Sequence, residues 1–355
     1  MQKFKYLNIL FIGDLNEGAR SLMRAEILKE VAGSVKCLTN TPIPFIAGVN
    51  KPAFYTRVLN KLRIPRDEVG INEALIKIAK SDHTFDVAWI EKSTMLRPSV
   101  LKYFKKKSIN TKIISLSEDD MFAYHNRSRY YERSLNYYDT VFTTKLYNLD
   151  ELKLLGANDT ELFLDSYNSE LHRPLKKYTV IKDKEIDISF IGSYEGDRAN
   201  IIMWLGSMGF KVIVYGNGWS SLVNKNKNIN IMDSAILSEE YVKTINNSKI
   251  NLGFLRKINR DEVTSRSMEI TGCGSFLLAE RTSRHSELFK EGYEAEFFDS
   301  KEELKKKIEH YLKNFDEIEE ISKNARIRCL KDGYSMKSQI ENILKYLYKS
   351  KFLSI

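Results

Sequence analysis

Asp261-Glu-Val-Thr-Ser-Arg266-Ser-Met-Glu269-Ile-Thr-Gly272-Cys-Gly274-Ser-Phe-Leu-Leu-Ala-Glu280, running on to Phe297-Phe298-Asp299-Ser300, reads as loop, short helix, glycine break, buried strand, helix and strand. Thr264 or Ser265 is placed to cap a helix over Ser267 to Thr271, and Gly272 and Gly274 stop it. Ser275 to Ala279 is a short apolar run, the pattern of a strand buried on both faces. Such a helix starts at the sheet edge where ligands of open α/β sheets bind.

The chemistry at that helix start suits an anion. Its first N–H groups lack intrahelical partners. Arg266 adds a planar donor fork matched to phosphate oxygens. Glu269 lies three residues on and can accept from a vicinal diol such as a ribose. Asp261 precedes Glu269 by eight residues. Spacing alone leaves a second reading open, an Arg266–Glu269 surface pair at i,i+3.

The rest of the chain fits that edge into a larger plan. Its 355 residues suggest two ordinary domains. No apolar run approaches the ~18–20 residues of a membrane span. The N-terminal run before Gly13-Asp14 reads as a first strand, not a signal peptide. Cys37, Cys273 and Cys329 lack metal spacing, so a reducing cytoplasm is expected. A net charge of +9 favours anionic partners, with lysines scattered and no nucleic-acid motif.

Strands alternate with helices, the pattern of parallel doubly wound sheets. The first half opens as strand, Gly13-Asp14 and helix. A Pro- and Gly-containing segment over 39–54 reads as a loop, a flap over a cleft. Strands follow at 85–90, ending in Glu91-Lys92, and at 111–116, ending in Glu118-Asp119-Asp120. Residues 175–185 read as a lysine-rich linker. A second unit starts at 187–192 with Gly192-Ser193 at its strand end. Gly216-Asn217-Gly218-Trp219 follows the next strand, and Arg256-Lys257 a third. Ser300 and Glu303 form a capping box. The last helix, 335–349, is amphipathic, basic and aromatic, so contact with an anionic membrane is an option.

Arg266-Ser-Met-Glu269-Ile-x-Gly-Cys-Gly-x-Phe-Leu-Leu-Ala-Glu-Arg-Thr, His285-x-Glu-Leu-Phe-x-Glu-Gly and Ala295-x-Phe-Phe-Asp299 resemble the nucleotide-sugar half of the spore-maturation-protein (CgeB-like) glycosyltransferases. Trp89-Ile-Glu-Lys92, Tyr138-Asp-x-Val-Phe-Thr-Thr-Lys145 and His172-Arg173-Pro174 extend the likeness less specifically. The resemblance implies a GT-B fold, α/β, with two Rossmann-like domains facing a cleft and a C-terminal helix crossing back. The expected division is 1–174 with 335–355 for the acceptor, and 186–334 for the donor.

It further implies a cytoplasmic glycosyltransferase acting on a nucleotide-diphosphate sugar and a hydroxyl acceptor, in polysaccharide or glycoconjugate synthesis. No cofactor or metal is expected, because GT-B relatives use positive side chains and helix dipoles. Gly192 and Ser193 would line the phosphates, with Arg256, Lys257, Ser265 and Arg266. Tyr215, Gly216 and Trp219 would border the base, and Glu269 the ribose. Asp261 would touch the donor sugar, although retaining relatives usually carry Glu there. If the reaction inverts the anomeric centre, Asp119 or Asp120 would take the acceptor proton, with Glu91 and Asp14 as rivals and His125 as the nearby imidazole. A nucleotide-sugar epimerase or hydrolase, or a non-catalytic binding protein, are the alternatives, since fold does not fix function.

Overall fold

The computed structural model describes residues 4–44, 54–178 and 180–348. The chain divides into two compact units, residues 1–164 with 339–355, and residues 165–338.

The first unit contains β1 (Phe4–Gly13), α1 (Arg20–Val31), β2 (Ala32–Thr39), α2 (Phe54–Lys61), α3 (Ile71–Lys80), β3 (Val87–Glu91), α4 (Pro98–Lys107), β4 (Lys112–Ser117), α5 (Arg129–Ser134), β5 (Thr140–Thr143), α6 (Asn148–Leu154) and β6 (Thr160–Leu162). All its strands pair in parallel, in the order β2-β1-β3-β4-β5-β6. β3, every residue of which is buried, is an apolar run with no alternation, as a two-faced strand requires. The order reverses between β1 and β3. That topological switch point brings the carboxyl ends of these strands, Gly13 and Glu91, side by side.

The second unit contains β7 (Ile186–Ile191), α7 (Gly196–Ser207), β8 (Val212–Tyr215), β9 (Ile229–Met232), α8 (Ser238–Asn246), β10 (Ser248–Gly253), α9 (Ser265–Gly272), β11 (Leu277–Glu280), α10 (Ser283–Leu288), β12 (Glu296–Phe298), α11 (Lys301–Tyr311) and α12 (Phe315–Lys331). Its parallel order is β12-β11-β10-β7-β8-β9, with the switch point between β7 and β10. Phe190, Phe254, Phe276 and Leu278 lie at the centre of its core. Ile181, within the lysine-rich 175–185 stretch, is buried in the same core.

The last helix, α13 (Met336–Leu347), starts in the second unit, and residues from Gln339 onward belong to the first. Its aromatic end is turned inward. Tyr346 donates to Asp159 Oδ2 at 2.8 Å and stands edge-on to Phe142. Tyr348 donates to the Asp86 carbonyl. These two tyrosines therefore anchor the helix and do not form a membrane-facing stripe. Lys349, Lys351 and Phe352 lie outside the described residues, as do residues 45–53 of the expected flap. Among the described residues no helix is long and apolar enough to cross a membrane.

The capping box at α11 is skewed. Ser300 Oγ accepts from the Glu303 N–H, but the Glu303 carboxylate reaches back to the Asp299 N–H at 2.8 Å. β2, β9 and α8 are additions to the elements read from sequence. β2 is half polar on an edge, and β9 is a four-residue edge strand.

Candidate functional site: an arginine-lined edge of the second sheet

The loops after β7 and β8 are fastened together. Gly192 N–H donates to the Tyr215 carbonyl at 2.7 Å, and Tyr194 N–H to that of Asn217 at 2.9 Å. The Gly192 carbonyl accepts from Trp219 Nε1 at 2.9 Å. Gly216 has φ +150°, and a Cβ there would stand 2.0 Å from the Gly192 oxygen. Only glycine permits this approach. Gly192, Ser193, Tyr215 and Gly216 thus share one rim.

Trp219 does not line that rim. Its ring is fully buried against Phe190, so it supports the Gly192 loop and cannot border a base. The exposed aromatic is Tyr194, which stands edge-on to Trp219 at 5.4 Å. Sequence cannot tell which of two neighbouring aromatics turns outward.

Across the switch point, β10 leads through residues 254–264 to α9. Thr264 precedes this helix in extended conformation, and its side chain makes no capping hydrogen bond. Arg266, in the first turn, forms no ion pair among the described residues. Its guanidinium lies 5.8 Å from the Phe190 ring centre, and its buried Nε has no partner. The i,i+3 pair with Glu269 is not made. Glu269 is buried and instead accepts from the Tyr241 hydroxyl at 2.6 Å. Burial first, and then the Glu269 charge, raise the Tyr241 pKa well above its ordinary value, so the tyrosine is the donor.

A second guanidinium lies behind the first. Arg198, in the first turn of α7, is 5% exposed and packs on the same Phe190 ring. It donates to the carbonyls of Ser193 and Leu255, holding the two loops on either side of the switch point. Burial lowers its pKa, Glu195 opposes that, and the Arg266 and Arg256 charges lower it further. Like charges crowded into a half-buried edge, with Glu195 bridging Arg198 and Arg256 at 3.1 and 2.8 Å, can accept an anion. Arg198 had only a weak sequence signal, its place in the first turn after Gly192.

Arg256 and Lys257 are exposed and paired with Glu195 and Asp197, at 2.8 and 2.9 Å. Exposed pairs of this kind exchange readily, since they contribute only ~0–1 kcal/mol. Ser265 is partly exposed at the helix start. Asp261 accepts from Asn259 Nδ2 at 2.7 Å.

α9 is clamped from beneath. Buried His285 accepts from Ser267 Oγ at Nε2 (2.9 Å) and donates from Nδ1 to the Glu280 carbonyl (2.8 Å). This tautomer follows because a carbonyl can only accept. Burial pushes the imidazole down to about 4.

In the first unit the three successive carboxylates go to different partners. Glu118 takes Arg20 and Arg24, at 2.9 and 2.8 Å. Burial would raise its carboxyl, but the two arginines hold it at about 2. Asp119 pairs with Lys92. Asp120 is fully buried and accepts from the Phe122 and Ala123 N–H groups and Asn148 Nδ2. It is a turn-capping residue with no open face for an acceptor, which removes it as the proton acceptor. Glu91 is likewise buried, held by both arms of the Arg24 fork and by Trp89 Nε1. Asp14 accepts from Asn16.

A cavity of about 880 Å³ opens beside these strand ends. Pro42 and Pro44 follow β2, Lys92, Thr94 and Met95 follow β3, and Tyr124 to Ser128 follow β4. Lys61, Arg63 and Arg66, in and after α2, complete its charged wall. His125 lines it and is exposed.

Residues 198–345 match a family model described as glycosyl transferase-like. No curated protein matches the chain in sequence. HepE of Anabaena, solved with UDP and glucose, is similar in fold, with a TM-score of 0.64 and 12% identity over 97% of this chain and all of that one. Sucrose-phosphate synthase of Thermosynechococcus elongatus gives 0.64 and 13%, over 97% and 100%. A Listeria monocytogenes protein assigned as a UDP-N-acetylglucosamine 2-epimerase gives 0.57 and 11%, over 99% and 98%. The chain has the α/β fold of the GT-B type, and its second sheet, from Arg198 onward, lies in a glycosyl transferase-like segment.

Proposed function

We propose that the protein transfers a sugar from a nucleoside diphosphate sugar, UDP-linked in the first instance, to a hydroxyl acceptor. The process served is bacterial surface polysaccharide or glycoconjugate synthesis, in the cytoplasm. The observation that carries this reading is Arg266: a guanidinium at a helix start that forms no ion pair among the described residues, on the switch-point edge of a glycosyl transferase-like segment.

In this reading the diphosphate sits on the N–H groups of α9, between Arg266 and the Gly192-Ser193 rim. Arg256 and Lys257 exchange their exposed carboxylates for phosphate oxygens. The bond from the anomeric carbon to the β-phosphate oxygen breaks, and these cations stabilise the departing diphosphate. That electrostatic work needs no metal. Glu269, aimed by Tyr241, accepts from the ribose hydroxyls, and Tyr194 and Tyr215 border the base. Asp261 contacts the donor sugar.

The acceptor binds the cavity of the first unit. Its oxygen attacks the anomeric carbon and its proton passes to His125 on the cavity wall. Asp119, occupied by its pair with Lys92, is the second candidate. The likeness to an assigned epimerase favours one second reading, turnover of the nucleotide sugar without an acceptor.

Titration calorimetry with UDP, GDP, dTDP and CMP tests the donor site. One nucleotide binds wild-type protein, and Arg266→Ala weakens it by about a hundredfold, as loss of a charge-assisted phosphate contact requires. No binding of any nucleotide to folded protein overturns the reading. UDP-sugar consumption that needs no acceptor selects the epimerase or hydrolase reading.

A further inference from the structure

The cavity of the first unit has a charge pattern that a neutral sugar would not use. Among the described residues five cations line it, Lys61, Arg63, Arg66, Lys92 and Arg127, against one lining carboxylate, Glu68. Two more carboxylates lie behind the wall: Asp119 pairs with Lys92, and Glu132 with Arg63 and Arg127. Five cations against three carboxylates leave an excess of two positive charges. Among the described residues, Lys61 and Arg66 form no salt bridge, and both are exposed. They stand at the end of α2 and just after it.

The same wall carries an aromatic platform. Tyr124 is 65% exposed, and the Arg63 guanidinium stacks on its ring at 4.1 Å. Arg63 is fixed there by Glu132 at 2.7 Å and by the Arg127 carbonyl at 3.2 Å. An exposed ring beside uncompensated cations can stack on a sugar face while the cations take an acidic substituent.

We infer that this cavity takes an acidic acceptor, a saccharide or polyol carrying phosphate or carboxylate, with Lys61 and Arg66 reading its charge. The inference rests on the sugar-transfer reading for its role. Its binding test is separate.

The probes are glucose 6-phosphate, glucuronate and glucose, measured by calorimetry on the full chain. Wild-type protein binds the two acids roughly tenfold or more tightly than glucose. The double variant Lys61→Ala/Arg66→Ala loses that preference and keeps UDP binding, whereas Arg266→Ala keeps the preference and loses UDP. If Arg266→Ala abolishes binding of the acids and the double variant does not, the acids occupy the nucleotide site and the inference falls. Equal binding of acids and glucose also overturns it. If wild type prefers the acids but binds no nucleotide, the inference stands and the donor-site reading fails. Co-sedimentation with phosphatidylglycerol vesicles separates a lipid headgroup from a soluble acid. Vesicle binding lost in the double variant, with no preference for the soluble acids, shows that Lys61 and Arg66 read a membrane surface and overturns the cavity assignment.

Discussion

The Tyr241 hydroxyl donates to Oε2 of Glu269 at 2.6 Å, so a tyrosine from α8 orients the buried carboxylate of α9, the group proposed to accept from a ribose. Wild-type protein is expected to bind UDP about tenfold better than 2′-deoxy-UDP, the scale of one hydrogen bond to a charged group. Glu269→Ala should erase that preference, and Tyr241→Phe should weaken UDP binding about three- to tenfold by leaving the carboxylate poorly aimed. Calorimetry on both nucleotides checks this. A preference that survives in Glu269→Ala means the carboxylate does not read the ribose.

Gly216 is the second point at which the rim is defined. Alanine there meets the Gly192 carbonyl at 2.0 Å in a backbone conformation that L-residues disfavour. Gly216→Ala should cost about 2–3 kcal/mol and reduce nucleotide affinity together. Gly218→Ala is the control: its φ is +89°, but its Cβ meets only Tyr194 Cβ at 3.3 Å. Urea unfolding should therefore rank Gly216→Ala well below Gly218→Ala. Equal stabilities would show that the two loops separate without cost.

The fold was legible where burial is two-sided. β3 and β11 are continuous apolar runs, buried over residues 87–90 and 277–279. β2 and β9 were not, because both lie at a sheet edge, where β2 is half polar and β9 is only four residues long. In the candidate site, Arg266 was legible as a residue type at a helix start. That it declines Glu269 was not, because an i,i+3 spacing permits the pair, and only the Tyr241 hydroxyl from another element decides it. Trp219 was misread for a similar reason: Gly-x-Gly-Trp does not say which way the ring turns. The cavity of the first unit joins residues as far apart as Pro42 and Ser128, so no local spacing announces it.

In the first unit, Glu91 looked like a base and is a buried structural anion. Arg24 holds it with both arms at 2.7 Å and also reaches Glu118. Burial opposes the Arg24 charge, but the two carboxylates more than offset it and raise its pKa. Arg24→Met should destabilise the protein by about 3–5 kcal/mol, because Glu91 is left buried without its cation. The double variant Arg24→Met/Glu91→Leu should recover much of that loss, since an apolar pair leaves no buried charge. Denaturant unfolding of both variants checks it. A double variant no more stable than the single one would locate the cost in packing.

The clamp under α9 makes stability depend on pH. The His285 pKa is lowered to about 4 by burial, from 6.5 when unburied. Between those values the unfolded chain takes up a proton that the folded protein does not. Its contribution is therefore fully present above pH 6.5 and is lost as pH falls toward 4, at up to about 1.4 kcal/mol per pH unit. Glu118, lowered to about 2 from 4.5, acts only in the more acidic window below. His285→Gln can still donate to the Glu280 carbonyl and accept from Ser267, but it does not titrate. Between pH 6.5 and 5, urea unfolding should show wild-type protein losing about 2 kcal/mol more than the variant. Affinity of the folded protein for a UDP-sugar, whose diphosphate has no terminal group titrating in this range, should stay flat, because His285 remains neutral in the folded state and Ser267 keeps its place behind Arg266. Parallel stability losses in the two proteins would mean that the imidazole is charged, or reached by water, in the native state.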